Sequence, residues 1–112
     1  MTTGPDEKMP RPPKPFREFT ERHPEIARAY GALGDAVRKA GPLSEREIAL
    51  VKLGISIGAG LEGAAHSHAR KALGAGWKAD DLRHAAMLAA PTVGFPSMMR
   101  ARSWVEDVVG VK

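Results

Sequence analysis

The stretch SEREIALVKLGISIGAG, residues 44–60, carries the reading of the fold. Ser44 and Glu47 stand at the S-x-x-E spacing of a capping box, in which each side chain takes a backbone N–H that the first helical turn leaves unpaired. A helix is therefore expected to start at Ser44 and run through Ile48, Leu50, Val51, Leu53, Ile55 and Ile57, which nearly encircle it. A helix that is apolar almost all round is a buried one, so this segment is expected at the centre of the domain or of an interface. Gly54, Gly58, Gly60 and Gly63 each lower helix propensity by about 1 kcal/mol relative to alanine. The expected compensation is close approach of another backbone, with a break in the helix near Gly58 to Gly60.

Immediately downstream, GAGLEGAAHSHARKALGAG (residues 58–76) sets two histidines in a run of alanine and glycine. A helix over residues 61–73 is expected, ending where Gly74 or Gly76 takes a left-handed cap. At about 100° per residue, Leu61, Ala64, Ala65, His68 and Ala72 share an apolar stripe, while His66, Ser67 and Arg70 point away from it. His66 falls one turn beyond Glu62, most simply as a surface pair worth a few tenths of a kcal/mol. His68 is expected to face the core or an interface, either as a hydrogen-bonded structural histidine or as a catalytic group. The two histidines lie about 200° apart around the axis and cannot easily hold one metal from the same helix. A metal would need Glu62, His66 and a donor from elsewhere such as His84, a weak motif, and the purified protein is expected to be metal-free.

Further along, Asp80 and Asp81 open another helix through about Ala90, since acids suit a helix N-terminus. Pro91, Gly94 and Pro96 suggest a loop with Phe95 as a packing anchor. A last helix over residues 97–109 brings Met98, Met99, Ala101, Trp104, Val105 and Val108, the two methionines as core filler. Upstream, six of the nine prolines fall in residues 1–24, and residues 1–14 read as a flexible Pro-rich arm. A short helix from Phe16 is expected to stop near His23, because Pro24 pushes the residue before it out of the helical region. Pro24 itself suits the first turn of the next helix, which runs to about Ala40. The expected architecture is all-α, a single domain over residues 15–112 with about five to six helices and no strand.

The totals narrow the function. At 112 residues with 43% hydrophobic and 5% aromatic side chains, one aliphatic core is expected, and a chain this size would gain from burying more surface in an oligomer. The net charge is +4, but the Lys and Arg residues are scattered among acids without an aromatic platform, so neither nucleic acid nor membrane is an expected partner. The first residues have no apolar leader and the longest apolar stretch contains Lys52, which leads to an expected cytoplasmic protein. The absence of cysteine removes disulfides, thiolate-bound zinc and thiol catalysis together.

The order LSEREIALVKLGISIGAGLEGAAHSHARKALGAGWKADDLRHAAMLAAPTVGFPSMMRA, beginning at Leu43, resembles the carboxymuconolactone decarboxylase family, which includes the alkyl hydroperoxidase D type of thiol peroxidases. The parts that carry the resemblance are the apolar helix, His68 eight residues before Gly76, the ADDLRHAAMLAA helix and the GFPSMMRA segment. It implies an alkyl hydroperoxidase D-like helical domain and a homo-oligomer, trimer or hexamer. Matching His68 and Gly76 places Leu61 and Ala64 where thiol-peroxidase members carry Cys-x-x-Cys, and Ala49 where they carry a catalytic glutamate. Anchoring on Glu47 instead selects His66, with Ala59 and Glu62 at the cysteine positions, at the cost of a two-residue shift before Gly76; the ungapped match is preferred. Both thiols are gone either way, so dithiol peroxide reduction is not expected. The decarboxylase branch implies cofactor-free acid–base chemistry on a small carboxylated metabolite, with His68, His66 and Glu62 as candidate catalytic groups and Arg70 or Arg100 as carboxylate-binding residues. The alternative is a non-enzymatic homo-oligomeric binding or structural protein.

Overall fold

The structure, a computed structural model, describes residues 13–110. Those residues form seven helices and no strand: α1 (Lys14–Arg22), α2 (Pro24–Lys39), α3 (Glu45–Ala59), α4 (Glu62–Gly74), α5 (Ala79–Met87), the single turn α6 (Ala90–Val93) and α7 (Phe95–Val109). The all-α expectation holds. The chain divides into two compact units between Pro42 and Leu43, so the span expected as a single domain covers both.

In the first unit, α1 opens at Lys14, two residues before the expected start, because Pro15 fits a first turn. Residues 1–12 of the expected arm lie outside the described residues. His23, at φ −131° and ψ 67°, leaves the helical region ahead of Pro24, and ends α1 while starting α2. Neither helix buries a residue, and Ile26, Tyr30, Leu33 and Val37 of α2 are exposed along one stripe.

The second unit begins with the capping box. The Glu47 N–H donates to Ser44 Oγ at 3.1 Å, and the Ser44 N–H donates to Glu47 Oε1 at 2.8 Å. Only one face of α3 is buried, through Ala49, Leu53, Ser56 and Ile57. Val51 and Ile55 stay 47% and 64% exposed, so of the two expected settings, the centre of the domain or of an interface, this chain's own packing does not supply the first. The buried Ser56 hydroxyl donates to the Lys52 carbonyl at 2.8 Å, so it carries no unpaired donor. Gly60, at φ +72°, supplies the left-handed break.

A Cβ on Gly54, Gly58 or Gly63 would meet no atom within 4 Å among the described residues, so the backbone expected to approach them closely is not one of this chain's described elements. Gly54→Ala is accordingly expected to raise unfolding free energy by up to about 1 kcal/mol through helix propensity. A urea titration showing a loss instead would mean that this face of α3 touches something outside the chain.

Helix α4 buries Ala65, Ala69 and Ala72. That stripe is rotated toward Ala69 from the expected one: Leu61 lies at the cap, 54% exposed, and His68 lies on the shoulder. Gly74 remains helical and Gly76 takes the positive φ, +100°. Trp77 then locks the turn, its Nε1–H donating to the Arg46 carbonyl at 2.7 Å while the Arg46 guanidinium covers its ring at 3.7 Å.

Helix α5 is capped by Asp81, whose Oδ2 accepts the Lys78 N–H at 2.8 Å. It stops at Met87, and the loop expected around Pro91 contains α6, since a proline is pre-set for a first turn. Pro96 likewise sits in the first turn of α7, which starts two residues earlier than expected. Phe95 is 62% exposed and joins no core cluster among the described residues, and Met99 is half-exposed; of the two methionines only Met98 joins the core. That core is centred on Leu53, Leu82 and Val105, with Trp104 beside them. Arg83 adds a polar tie, donating through Nε to Glu106 Oε2 of α7 at 2.6 Å and through Nη1 to Asp80 at 2.9 Å. Among the described residues no helix is long and apolar enough to cross a membrane.

Candidate functional site

Helix α4 presents its titratable residues on the two shoulders of the buried alanine stripe. His66 stands on the shoulder toward α7, where its Nε2 lies 2.9 Å from Asp107 Oδ2. Its side chain is only 25% exposed, so it is not the outward-pointing residue that spacing suggested. The expected Glu62–His66 pair is also not the bond formed: the hydrogen-bonded partner is Asp107, 41 residues away in sequence. One potential ligand atom each from Glu62, His66 and Asp107 lies within 4.8 Å of the others. His84, the donor considered from sequence, is exposed on α5 and does not join this group.

His68 stands on the opposite shoulder, half-buried. Burial pushes its imidazole down to about 4, and the Lys71 and Lys52 ammonium groups add to the effect. At neutral pH the ring is therefore uncharged with both nitrogens' chemistry intact, one donating and one accepting. Lys71 is exposed over much of its length, yet its ammonium is also lowered, first by partial burial and then by Lys52 and Arg70. Lys52 and Lys71 thus make this shoulder electropositive, and a carboxylate there would relieve their mutual repulsion.

The shift has a consequence for stability. In the unfolded chain the imidazole binds its proton near pH 6.5, and in the folded protein only near pH 4, so the unfolded state holds more protons in between. Stability must fall as pH drops from 6.5 toward 4. Solvent reaches part of the ring, so the expected loss between pH 7.5 and 5.5 is about 1 kcal/mol. Urea unfolding at the two pH values measures it, and the loss should vanish in His68→Gln; an equal loss in that variant would contradict the assignment.

The five residues singled out from sequence do not converge. Glu62 and His66 come together, His68 lies on the other, electropositive shoulder with Lys52 and Lys71, Arg70 follows His66 on its own shoulder, and Arg100 is exposed with its guanidinium 5.9 Å from the Trp104 ring. Glu47, the anchor of the second sequence match, is occupied by capping: the Ser44 N–H and hydroxyl hold its carboxyl below the usual range. Ala49, in the glutamate position of the first match, is buried and inert. Two elements escaped sequence reasoning. One is Asp107; the other is an open apolar groove of about 490 Å³ between α3, α5 and α6, floored by Leu50, Ile57 and Trp77.

A model of the carboxymuconolactone decarboxylase family matches residues 24–107. The chain belongs to that family. No curated protein and no solved structure matches it. As a carboxymuconolactone decarboxylase family member it has no cysteine to place on α4: Leu61 and Ala64 occupy the positions that the ungapped match assigns to the thiols. Neither side chain can form a thiolate.

Proposed function

We propose that this chain performs cofactor-free, lyase-type acid–base chemistry on a small carboxylated metabolite, with His68 as the proton-transfer group. The observation that carries the reading is a half-buried imidazole on α4 kept neutral first by burial and then by the positive charges of Lys71 and Lys52. Such a ring is free to accept a proton at neutral pH, but at about 4 it is a weak base. A substrate carboxylate bound against Lys52 and Lys71 would offset their charge and raise the imidazole toward the working pH, where a general base is most effective. Binding and activation of the base would then be one event. Arg100 has no contact linking it to this group and is not assigned a role in it.

A panel of small carboxylates, lactone acids included, screened by thermal shift tests the reading. Expected is stabilisation by a subset of them, weakened in Lys52→Met and Lys71→Met. Stabilisation by no carboxylate, or one indifferent to both lysine variants, would overturn it.

A second reading, a non-enzymatic homo-oligomeric binding protein, is favoured by the apolar groove. Val51, Leu88 and Val93 are exposed around it, and Glu47 is its one ionisable lining residue. On that reading the family's trimer or hexamer would cover these side chains. Light scattering that reports a monomer at micromolar concentration would remove it.

A further inference from the structure

We propose that Glu62, His66 and Asp107 form a site for a first-row divalent transition cation, of the zinc class, that clamps the start of α4 to the end of α7. The inference is independent of the role given to His68, which lies on the other shoulder of α4.

Spacing is the first support. Donors bound tetrahedrally to such a cation at about 2.0–2.2 Å lie about 3.3–3.6 Å apart. His66 Nε2 and Asp107 Oδ2, hydrogen-bonded at 2.9 Å, need to part by only about half an ångström to admit it in place of the shared proton. Glu62 offers its oxygen within 4.8 Å of both. It is exposed and makes no hydrogen bond or ion pair among the described residues, so a rotamer change can close the gap.

Charge is the second. Neither Glu62 nor Asp107 has a Lys or Arg partner among the described residues, although the chain carries 17 basic side chains. The adjacent Glu106 shows the contrast, since it is paired with both Arg83 and Arg102. Arg70, next on the same shoulder as His66, forms no ion pair with either carboxylate. Two carboxylates without a Lys or Arg partner, beside one imidazole, match a dication. One nitrogen with two oxygens favours zinc, cobalt or manganese over calcium and magnesium, which prefer oxygen alone. Sequence spacing gave only Glu62 and His66 with a distant His84, and hence a metal-free expectation; Asp107 supplies the donor that expectation lacked.

The test is calorimetric titration of the chelator-treated full-length protein with zinc, paralleled by cobalt with its visible absorption. One ion per chain is expected, with affinity reduced about tenfold or more in His66→Ala and in the near-isosteric Asp107→Asn, and the cobalt bands lost. His84→Ala should bind as the parent does. Circular dichroism checks that each variant is folded, and Asp107→Asn keeps the test decisive if His66→Ala is not. Failure to bind zinc at about 100 μM, or binding that survives Asp107→Asn or disappears with His84→Ala, would overturn the site.

Discussion

Leu53→Ala is expected to lower the unfolding free energy by about 2–5 kcal/mol, the largest stability effect foreseen for any single substitution here. Leu53 has no exposed surface and sits among the alanines of α4 and the side chains of α5 and α7. Small neighbours cannot swing in to refill the space, so the cavity persists and its cost adds to the lost burial. Ile55, two residues on and 64% exposed, should lose no more than about 0.5 kcal/mol when changed to alanine. Urea unfolding of both variants provides the comparison. Equal losses would mean that the outer face of α3 is covered in solution, as it would be by a second copy of the chain.

His68→Gln is expected to reduce turnover of a substrate identified from the carboxylate panel by about 10²–10⁴-fold, the range that a positioned general base contributes. Glutamine keeps roughly the size and polarity of the ring but cannot accept a proton at neutral pH. Because the imidazole is already uncharged in the folded protein, the substitution changes little electrostatically in the free state. Melting temperature near pH 7.5 should therefore be almost unaffected. His66→Gln should behave differently: it disturbs the contact to Asp107 and the tie between α4 and α7, with a smaller effect on turnover. A His68→Gln protein that retains turnover while losing stability would assign the residue a structural role.

What the sequence conveyed was whatever is decided within a few residues. The Ser44–Glu47 box, the break at Gly60, the His23–Pro24 boundary and the turn at Gly76 all follow from local backbone chemistry, and all are found. Burial is decided by neighbours, and helical spacing does not say which neighbours there are. It identified the apolar residues of α3 but not that this chain buries only the Ala49, Leu53 and Ile57 face. Nor did it say what the glycines of that helix approach, since a Cβ on Gly54 or Gly58 would meet nothing within 4 Å among the described residues.

The candidate site shows the same division. That His66 and His68 lie on different sides of α4 was legible from the 100° step. What each one faces was not, since Asp107 and Lys52 are brought in by packing from α7 and α3. The Glu62–His66 pair shows the limit of reading one helix alone: a local i, i+4 partner was available, yet His66 bonds to the carboxylate that α7 lays against it.

The most direct test of the central claim is an NMR titration of the His68 imidazole with isotope-labelled histidine, free and with a stabilising carboxylate bound. The account predicts a ring that stays neutral in the free protein until the pH approaches about 4, and a midpoint that moves up by about one unit or more when the carboxylate is bound against Lys52 and Lys71. A midpoint near the ordinary 6.5 in the free protein, or one that does not move when the ligand binds, would contradict it.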